Sequence, residues 1–236
     1  MTDADMALQQ ARQRLEQVER LAVVGQLAPG IAHELNTPLG VIISNLTVLA
    51  GYGDSLAQVV GGLQAPDLDY ILEDLPALTS ESIASANRIA EIVRSLALLA
   101  RNDAQRLGPV NVEDALQAAI TLTWHELKQR ATLERDYGGV PAVVGSASEL
   151  ARVFVYLLLN AAQAVPERGG VVSVSTTYAD GEVTIRIAAN GAGSQSSGLS
   201  ICQEIMTRHQ GTIDIQSDVG SGTRVTIRLH AAPGTP

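Results

Sequence analysis

A histidine in the stretch Gly30-Ile31-Ala32-His33-Glu34-Leu35-Asn36-Thr37-Pro38-Leu39-Gly40 is the residue best placed to do chemistry. At about 100° of rotation per residue, a helix through this stretch has one apolar stripe. The stripe consists of Leu27, Ile31, Leu35, Leu39, Ile42, Leu46 and Leu49. His33 lies opposite the stripe, on a face with Gln26, Gly30, Thr37, Gly40 and Ser44. A neutral imidazole is a good nucleophile near pH 7, so this open face is suited to group transfer. The alternative is that His33 is a solvent-exposed residue of an amphipathic helix with no catalytic role.

These residues resemble the phospho-acceptor box of bacterial sensor histidine kinases. The pattern of that box is His, an acidic residue, two variable positions, Thr or Asn, and then Pro, and the chain has His33-Glu34-Leu35-Asn36-Thr37-Pro38. The resemblance implies that His33 carries a phosphoryl group. It implies that Glu34 accepts a hydrogen bond from the N–H of the second ring nitrogen. It also implies that Thr37 orients water for dephosphorylation of a partner. Thr37 lies about 40° from His33 around the helix and shares its face.

The composition predicts an acidic globular protein. Of the 236 residues, 46% are hydrophobic and 3% aromatic, which favours helices packed on helices or on a small sheet. The formal net charge of −9 argues against nucleic acid as a partner. Cys202 is the single cysteine, which excludes an intramolecular disulfide and is typical of the reducing cytoplasm.

The apolar segments predict a cytoplasmic protein without membrane insertion. Residues 1–5 are acidic and polar, unlike a secretory signal, and the longest apolar run, Val153 to Leu159, is too short to span a bilayer. Histidine kinases commonly have a sensor or membrane domain ahead of the box, whereas only about thirty residues precede His33 here. We therefore expect sensing through a partner, or its loss.

Two long helices are predicted in the first part of the chain. The first runs from about Ala7 to Gly51, broken only at Pro29 and Pro38, with a kink just past His33. Turn residues follow at Gly51, Gly53, Gly61, Gly62 and Pro66. The second helix runs from about Asp67 to Arg101 and bends at Pro76. Its apolar stripe consists of Leu68, Leu72, Leu75, Ala86, Ile89, Val93 and Leu96.

One helical hairpin cannot bury both stripes. We therefore expect a homodimer in which two hairpins form a four-helix bundle with His33 on the outside. The alternative is a hairpin that packs on the rest of its own chain.

After a linker at residues 102–110, the second half predicts a two-layer α/β sandwich. Helices are expected at Asn111 to Arg130, Ser146 to Val165 and Gly198 to His209, and strands at Thr132 to Tyr137, Val171 to Tyr178, Glu182 to Ala188, Thr212 to Ser217 and Thr223 to Leu229. Asn111 and Ser146 are expected helix caps. Ala179-Asp180-Gly181 is a strong hairpin signal, and Gly220 and Gly222 are expected to turn the last hairpin.

Residues Val112 to Leu229 resemble the ATP-binding domain of histidine kinases. The resemblance implies an α+β protein in which a helical-hairpin dimerisation domain precedes a histidine-kinase-type ATPase sandwich. The expected domains are residues 1–101 for dimerisation and phospho-acceptance, 102–110 as linker, 111–230 as the ATPase-like domain and 231–236 as a tail.

The same resemblance assigns candidate nucleotide contacts. In the family, two asparagines one turn apart hold Mg²⁺ and the phosphates, Asp-Asn-Gly-x-Gly reads adenine, and a glycine-rich lid closes the site. The matching positions are Asn160, also the candidate Mg²⁺ ligand, Asn190, Gly191, Gly193 and Gly198. The alternative for Asn190 and Gly191 is that they form a turn and bind no ligand. The alternative for Asn160 is that it is a polar residue on a solvated helix face.

Two positions and the lid segment depart from this pattern. Tyr156 stands at the first asparagine, where its ring is expected to lie over the phosphate region and could fill it, and Ala189 stands at the aspartate. Only Ser194-Gln195-Ser196-Ser197 separate Gly193 from Gly198. Losing an acceptor, a metal ligand and a lid together predicts impaired ATP use.

Three hypotheses of function follow. In the first, His33 exchanges a phosphoryl group with an aspartate of a response-regulator receiver domain, ATP use is impaired or lost, and no cofactor is required. In the second, the chain is an active histidine kinase that uses ATP and Mg²⁺ to phosphorylate His33. In the third, it is a non-catalytic dimeric adaptor.

Overall fold

The computed structural model describes residues 3–60, 68–101, 107–166, 168–191, 199–218 and 222–233. The chain forms two compact units, one of residues 31–93 and one of residues 1–30 together with 94–236. In the part of the chain that the structure describes, no helix is both long and apolar enough to cross a bilayer.

The first unit is a helical hairpin. Helix α1 spans Asp3–Val60 and helix α2 spans Leu68–Ala100. The prediction that Pro29 and Pro38 break the first helix was wrong, because α1 continues through both. The fixed φ of proline is compatible with a helix, so each proline removes a backbone hydrogen bond without ending the element. The expected turn at residues 51–53 is also helical, and Gly61, Gly62 and Pro66 lie outside the described residues.

Polar side chains occupy much of the contact between the two helices. Asn45, 7% exposed, donates from Nδ2 to the Leu78 carbonyl at 3.2 Å. Near the end of the hairpin, the hydroxyl of Tyr52 donates to Asp74 Oδ2 at 2.6 Å, and this hydrogen bond raises the pKa of Tyr52 above its usual value. Side-chain hydrogen bonds therefore align α1 with α2.

The apolar stripe predicted for α1 is fully buried only at its start, and Leu35, Ile42 and Leu49 farther along are half-buried. Leu27 and Ile31 are buried, whereas Leu39 is 45% and Leu46 55% exposed. The buried positions beyond Ile31 are Glu34, Pro38 and Asn45. Counting apolar residues alone therefore missed the polar positions that face the second helix.

The stripe predicted for α2 was correct in part, because Leu75, Ile89 and Leu96 are half-buried, whereas Leu72, Ala86 and Val93 are exposed. Leu72 is 58% and Val93 52% exposed, whereas their neighbours Ile71 and Ile92 are buried. A shift of one residue rotates a helical face by about 100°. The exposed apolar residues therefore form a second face of the hairpin.

From residue 107 onward, the described part of the second unit has a five-stranded mixed sheet, a two-stranded sheet and three helices. Its elements are β1 Gly108–Val110, α3 Val112–Arg130, β2 Ala131–Asp136, β3 Val143–Gly145, α4 Ala147–Ala164, β4 Gly170–Ala179, β5 Glu182–Ala189, α5 Leu199–Arg208, β6 Thr212–Asp218 and β7 Gly222–His230. The sheet order is β2-β4-β5-β7-β6, parallel between β2 and β4 and antiparallel elsewhere. The predicted two-layer α/β sandwich is confirmed.

Local signals placed most of these elements correctly. Asn111 caps α3, its Oδ1 accepting from the backbone N–H of Glu113 at 2.9 Å. Ser146 caps α4 by accepting from the N–H of Glu149 at 3.2 Å. Asp180 and Gly181 have φ values of 54° and 81°, as a two-residue hairpin turn requires.

Two boundaries differ from the expectation. The end of the predicted linker, Gly108–Val110, is strand β1, which pairs with the unpredicted strand β3. The expected tail begins too early, because Ala231 bridges to Val143 and the N–H of Ala232 donates to the Ala142 carbonyl at 2.7 Å. Strands of three residues are too short to show a periodic pattern.

Candidate functional site

His33 lies on an exposed face of α1. Thr37, Gly40 and Ser44 share its exposure, and a Cβ added at Gly40 would meet no atom within 4 Å. Gly30, which was also expected on this face, is buried, since a Cβ there would lie 3.1 Å from Cβ of His125. The side chain of Gln26 lies outside the described residues. The accessible face therefore extends from His33 toward the C-terminal end of α1.

Glu34 points into the hairpin and pairs with Arg88 of α2. Nη2 of Arg88 donates to Oε2 of Glu34 at 3.3 Å, and the two side chains are 40% and 11% exposed. Sequence reasoning missed Arg88, although it is the single Lys or Arg among residues 31–93. The acidic residue of the box therefore lies against the second helix.

Thr37 lies one turn after His33. Its Oγ1 donates to the backbone carbonyl of His33 at 3.0 Å. Because the side chain is exposed, the lone pairs of the hydroxyl oxygen can still accept a hydrogen bond on the histidine's face.

Asn160 faces a largely apolar cavity in the second unit. The cavity volume is about 40 Å³, and its described lining is Leu157, Asn160, Ala161, Ala164, Ile187, Ala189, Leu199, Ile215, Thr223 and Val225. Tyr156, expected to fill the phosphate region, is half-buried and is not among these lining residues. Asn160 is thus at the cavity rather than on the solvated face that was its alternative.

The lining matches only part of what ATP and Mg²⁺ need. The polar side chains of the described lining are Asn160 and Thr223. The described walls therefore offer an amide oxygen, but they have no carboxylate to bind the amino group of adenine or a Mg²⁺ ion. Ala189 lines the cavity where the family has the aspartate that reads adenine. In the described part of the chain, no three His, Cys, Asp or Glu side chains gather to hold a metal ion.

The amide of Asn190 is occupied by the backbone. Its Oδ1 accepts from the N–H of Val171 and its Nδ2 donates to the carbonyl of Gly169, both at 2.8 Å. Gly191 is buried, and a Cβ there would come within 1.8 Å of the Ala164 carbonyl oxygen. These contacts favour the turn alternative for both residues. Gly193 and Gly198 lie outside the described residues.

A buried polar cluster joins the start of α4 to the end of α5. Glu149 Oε1 accepts from Arg208 at 3.0 Å and from Arg152 at 3.3 Å, and the Glu149 side chain is 1% exposed. His209 Nε2 accepts from the Ser146 N–H at 2.9 Å, so Nδ1 is the nitrogen that donates to the Ile205 carbonyl at 2.8 Å. The sequence pattern predicted the cap at Ser146 but not this cluster.

Comparisons with known proteins cover both units. Residues 23–105 match the family model "His Kinase A (phospho-acceptor) domain". Residues 145–233 match "Histidine kinase-, DNA gyrase B-, and HSP90-like ATPase". Among solved structures, a mycobacterial sensor histidine kinase, MprB, aligns with a TM-score of 0.48 and 21% identity over 54% of this chain and 99% of its own.

Curated relatives align along nearly the whole chain. A putative sensor protein of Shewanella frigidimarina is 28% identical over 92% of the chain, and the signal transduction histidine-protein kinase AtoS of Escherichia coli is 25% identical over 96%. The chain spans 38% of the length of each. With a phospho-acceptor domain followed by an ATPase domain, the chain belongs to the histidine kinases of two-component signal transduction.

Proposed function

We propose that His33 exchanges a phosphoryl group with an aspartate of a response-regulator receiver domain. The observation that carries this proposal is the exposed His33 imidazole in a complete phospho-acceptor box, with Thr37 on the same open face. Glu34, Thr37 and His33 are the proposed catalytic residues. A partner domain can approach this face because nothing lies within 4 Å of a Cβ at Gly40.

The transfer step is a substitution at phosphorus. The lone pair of the unprotonated imidazole nitrogen attacks the phosphorus of the aspartyl phosphate. The N–P bond forms as the P–O bond breaks, and the aspartate leaves with the electron pair. The other ring nitrogen keeps its hydrogen and donates a hydrogen bond to Glu34, whose negative charge stabilises the positive charge of the phosphorylated ring. In the hydrolytic branch, Thr37 accepts a hydrogen bond from the attacking water.

We also propose that ATP use is impaired. Three observations support this: the methyl group of Ala189 at the cavity wall, the Asn190 amide bound to Gly169 and Val171, and Tyr156 in place of a metal-binding amide. Phosphoryl transfer depends on precise positioning of the nucleotide, so each lost contact reduces both affinity and rate.

The exposed apolar face of the hairpin supports a homodimer. On α1 the residues Leu39, Ile43, Leu46 and Ala50 repeat at spacings of four and three, and on α2 so do Ile83, Ala86, Ala90 and Val93. Ile43 is 57%, Leu46 55% and Ile83 63% exposed in the single chain. A heptad pattern on both helices is what packing into a four-helix bundle requires. We therefore propose residues 1–101 as the dimerisation and phospho-acceptor domain.

The second candidate is ATP-dependent autophosphorylation of His33. Asn160 favours it, because its amide faces the cavity at the position of the family's metal-binding asparagine. In that case ATP and Mg²⁺ are the required cofactors.

Phosphoryl exchange can be tested with receiver domains labelled by [³²P]acetyl phosphate. We expect the wild-type chain to remove label from a cognate receiver, and the His33→Ala variant to lose this activity. His230→Ala is the matched control, since it removes an exposed imidazole elsewhere and should retain the activity. Equal loss of label with wild type and His33→Ala would contradict the proposal.

A parallel incubation with [γ-³²P]ATP and Mg²⁺ separates the two candidates. We expect no label on His33 under these conditions. Label that appears on wild type and disappears with His33→Ala would establish the kinase candidate instead.

A further inference from the structure

We propose that the open face of the five-stranded sheet binds an acidic segment of a partner protein. The surface concerned, the arginine face, consists of Arg186 on β5 and of Arg224 and Arg228 on β7. It lies on the side of the sheet opposite to α4 and includes no part of the Asn160 cavity. The proposal goes beyond the phosphoryl exchange at His33 and does not depend on it.

Alternating burial along two central strands defines the arginine face. On β5 the exposed Arg186 lies between the buried Ile185 and Ile187. On β7 the exposed Arg224 and Arg228 alternate with buried apolar residues. Because successive side chains of a strand point to opposite faces of the sheet, the three arginines share the solvent side.

The strand register brings the three arginines together. Arg186 lies directly opposite Thr226, which lies between Arg224 and Arg228 along β7. Diagonal neighbours of this kind are about 7–8 Å apart. Thr226 is 9% exposed although it is on the solvent side, which fits the long side chains next to it. Three arginines therefore border one threonine.

These positive charges are not paired within the described part of the chain. The sequence has 25 acidic and 16 basic residues, and Arg152 and Arg208 each lie within 3.3 Å of a carboxylate oxygen. Among the described residues, no ion pair includes a member of the arginine face. Asp214, opposite Thr226 on β6, accepts from Gln216 Nε2 at 2.9 Å instead. Neighbouring like charges repel one another, so an anion bound there relieves the repulsion.

A polar depression lies at one end of the arginine face. Its volume is about 390 Å³, and its lining includes Arg224, Gln216 and Ser173. Gln216 lies directly opposite Arg224, and Ser173 is two strands away in the same row. Guanidinium, amide and hydroxyl groups all donate hydrogen bonds, and a carboxylate accepts with two oxygens. The depression therefore suits one carboxylate of the bound segment, with Arg186 and Arg228 available to others.

Carboxylates on the outer strands limit the size of the ligand. Asp214 on β6 and Glu134 and Asp136 on β2 are exposed on the same face. These edge strands are about 19 Å apart at about 4.8 Å per strand, which leaves room for a helix of about 10–12 Å diameter or an extended segment. A nucleic acid or a lipid surface would extend over these carboxylates, on a chain with a net charge of −9. The charge pattern therefore favours a short acidic protein segment.

Fluorescence anisotropy of a labelled oligoglutamate peptide tests the arginine face in the full chain. We expect wild type to bind the peptide at low salt, and the triple variant Arg186→Gln/Arg224→Gln/Arg228→Gln to bind it about tenfold more weakly or worse. Arg135→Gln is the matched control and should bind as wild type does. Arg135 is an exposed arginine of the same sheet that donates to Gln117 of α3 at 3.2 Å, on the opposite face. An oligoglutamine peptide should not bind. No binding by wild type, or equal affinities of wild type and the triple variant, would overturn the proposal.

Arginine side-chain signals show where the peptide binds and need only the folded wild type. Each arginine Nε–H gives a signal in ¹H–¹⁵N spectra, and single Arg→Gln variants assign the signals of the arginine face. We expect the peptide to shift the signals of Arg186, Arg224 and Arg228 and to leave that of Arg135 unchanged. Shifts confined to other arginines would overturn the proposal, even if the triple variant fails to fold.

Two further probes decide the class of ligand. They are a double-stranded DNA oligonucleotide and vesicles that contain phosphatidylglycerol, each measured at the same salt concentration as the peptide. We expect wild type to bind both more weakly than the peptide. Tighter binding of either probe, lost in the triple variant, would assign the arginine face to a polyanion and overturn the proposal. None of these measurements uses phosphoryl transfer, so a failure of the exchange at His33 leaves their outcome unaffected.

Discussion

The hydroxyl of Thr37 donates its hydrogen to the backbone carbonyl of His33 over 3.0 Å. The hydroxyl hydrogen is therefore used within the helix, and the oxygen acts toward solvent as an acceptor. A water molecule bound there would donate to Thr37 and keep a lone pair for attack on phosphorus. In the proposed hydrolysis, this bond would make the hydroxyl an acceptor rather than a donor.

Replacing Thr37 should separate hydrolysis from transfer. We expect Thr37→Val, which removes the oxygen but keeps the shape, to slow hydrolysis of a phosphorylated receiver domain about a hundredfold. Thr37→Ser should retain most of the rate, and phosphoryl transfer to His33 should persist in both. Time courses of ³²P-labelled receiver and inorganic phosphate measure the two reactions. Equal rates of hydrolysis in Thr37→Val and Thr37→Ser would contradict this role.

The exposed apolar face of the hairpin predicts the effect of a charge on association. Leu46→Asp places a carboxylate within the proposed dimer interface, where burial without a partner is costly. We expect sedimentation equilibrium to show monomers at micromolar concentration. Ser44→Asp is the control, since Ser44 is exposed on the face of His33 and its variant should remain dimeric. Dimers of undiminished stability in Leu46→Asp would contradict the bundle.

Restoring one acceptor should strengthen nucleotide binding. Ala189→Asp adds a carboxylate at the cavity wall, and one hydrogen bond to a buried polar group is worth about 1–3 kcal/mol. We expect ATP affinity, measured by calorimetry, to rise about tenfold or more. Ala188→Asp is the matched control, because Ala188 is the neighbouring residue and does not line this cavity. Wild-type affinity equal to that of Ala189→Asp would show that ATP binding was not impaired at this position.

The Glu149 cluster predicts a large change in stability. Glu149→Ala leaves Arg208 and Arg152 without their buried carboxylate, which should lower the free energy of unfolding by about 3–5 kcal/mol. The control Glu204→Ala in α5 removes an exposed carboxylate and should change the free energy of unfolding by less than about 0.5 kcal/mol. Urea denaturation measures both, and similar midpoints for the two variants would argue against a stabilising cluster.

Burial raises the pKa of the Cys202 thiol to about 12. A raised pKa keeps the thiol protonated, so the folded protein should have about a thousandfold less thiolate near pH 8 than an exposed cysteine. We expect almost no reaction with a disulfide reagent from pH 6 to 9, and rapid reaction in urea. Fast labelling of the folded protein at pH 8 would contradict the burial of this thiol.

Signals that act over a few residues predicted the fold well. The caps at Asn111 and Ser146 and the turn at Asp180-Gly181 depend on local hydrogen bonds and backbone angles, which the residue types specify directly. Strand β1 pairs with β3 across more than thirty residues, and three-residue strands have no periodicity from which to infer the pairing.

In the candidate site too, the features that depend on local sequence were predicted and the long-range contact was not. His33 was expected on an exposed face from helical rotation alone, and its exposure is confirmed. Arg88 pairs with Glu34 from 54 positions away in the sequence, so no local pattern points to it. Leu72 and Val93, which were assigned to the buried stripe of α2, show a related difficulty, because an apolar residue can face either the hairpin or solvent.

Pro38 gives the reactive turn of α1 a mechanical property. It has no N–H to donate to the carbonyl of Glu34, and the side chain of Thr37 bonds to the carbonyl of His33. Side-chain bonds of this kind and missing backbone donors both lower the resistance of a helix to bending. The turn that carries His33 is therefore more compliant than a regular helical turn, and small bends can adjust the distance between the imidazole and an incoming phosphorus atom.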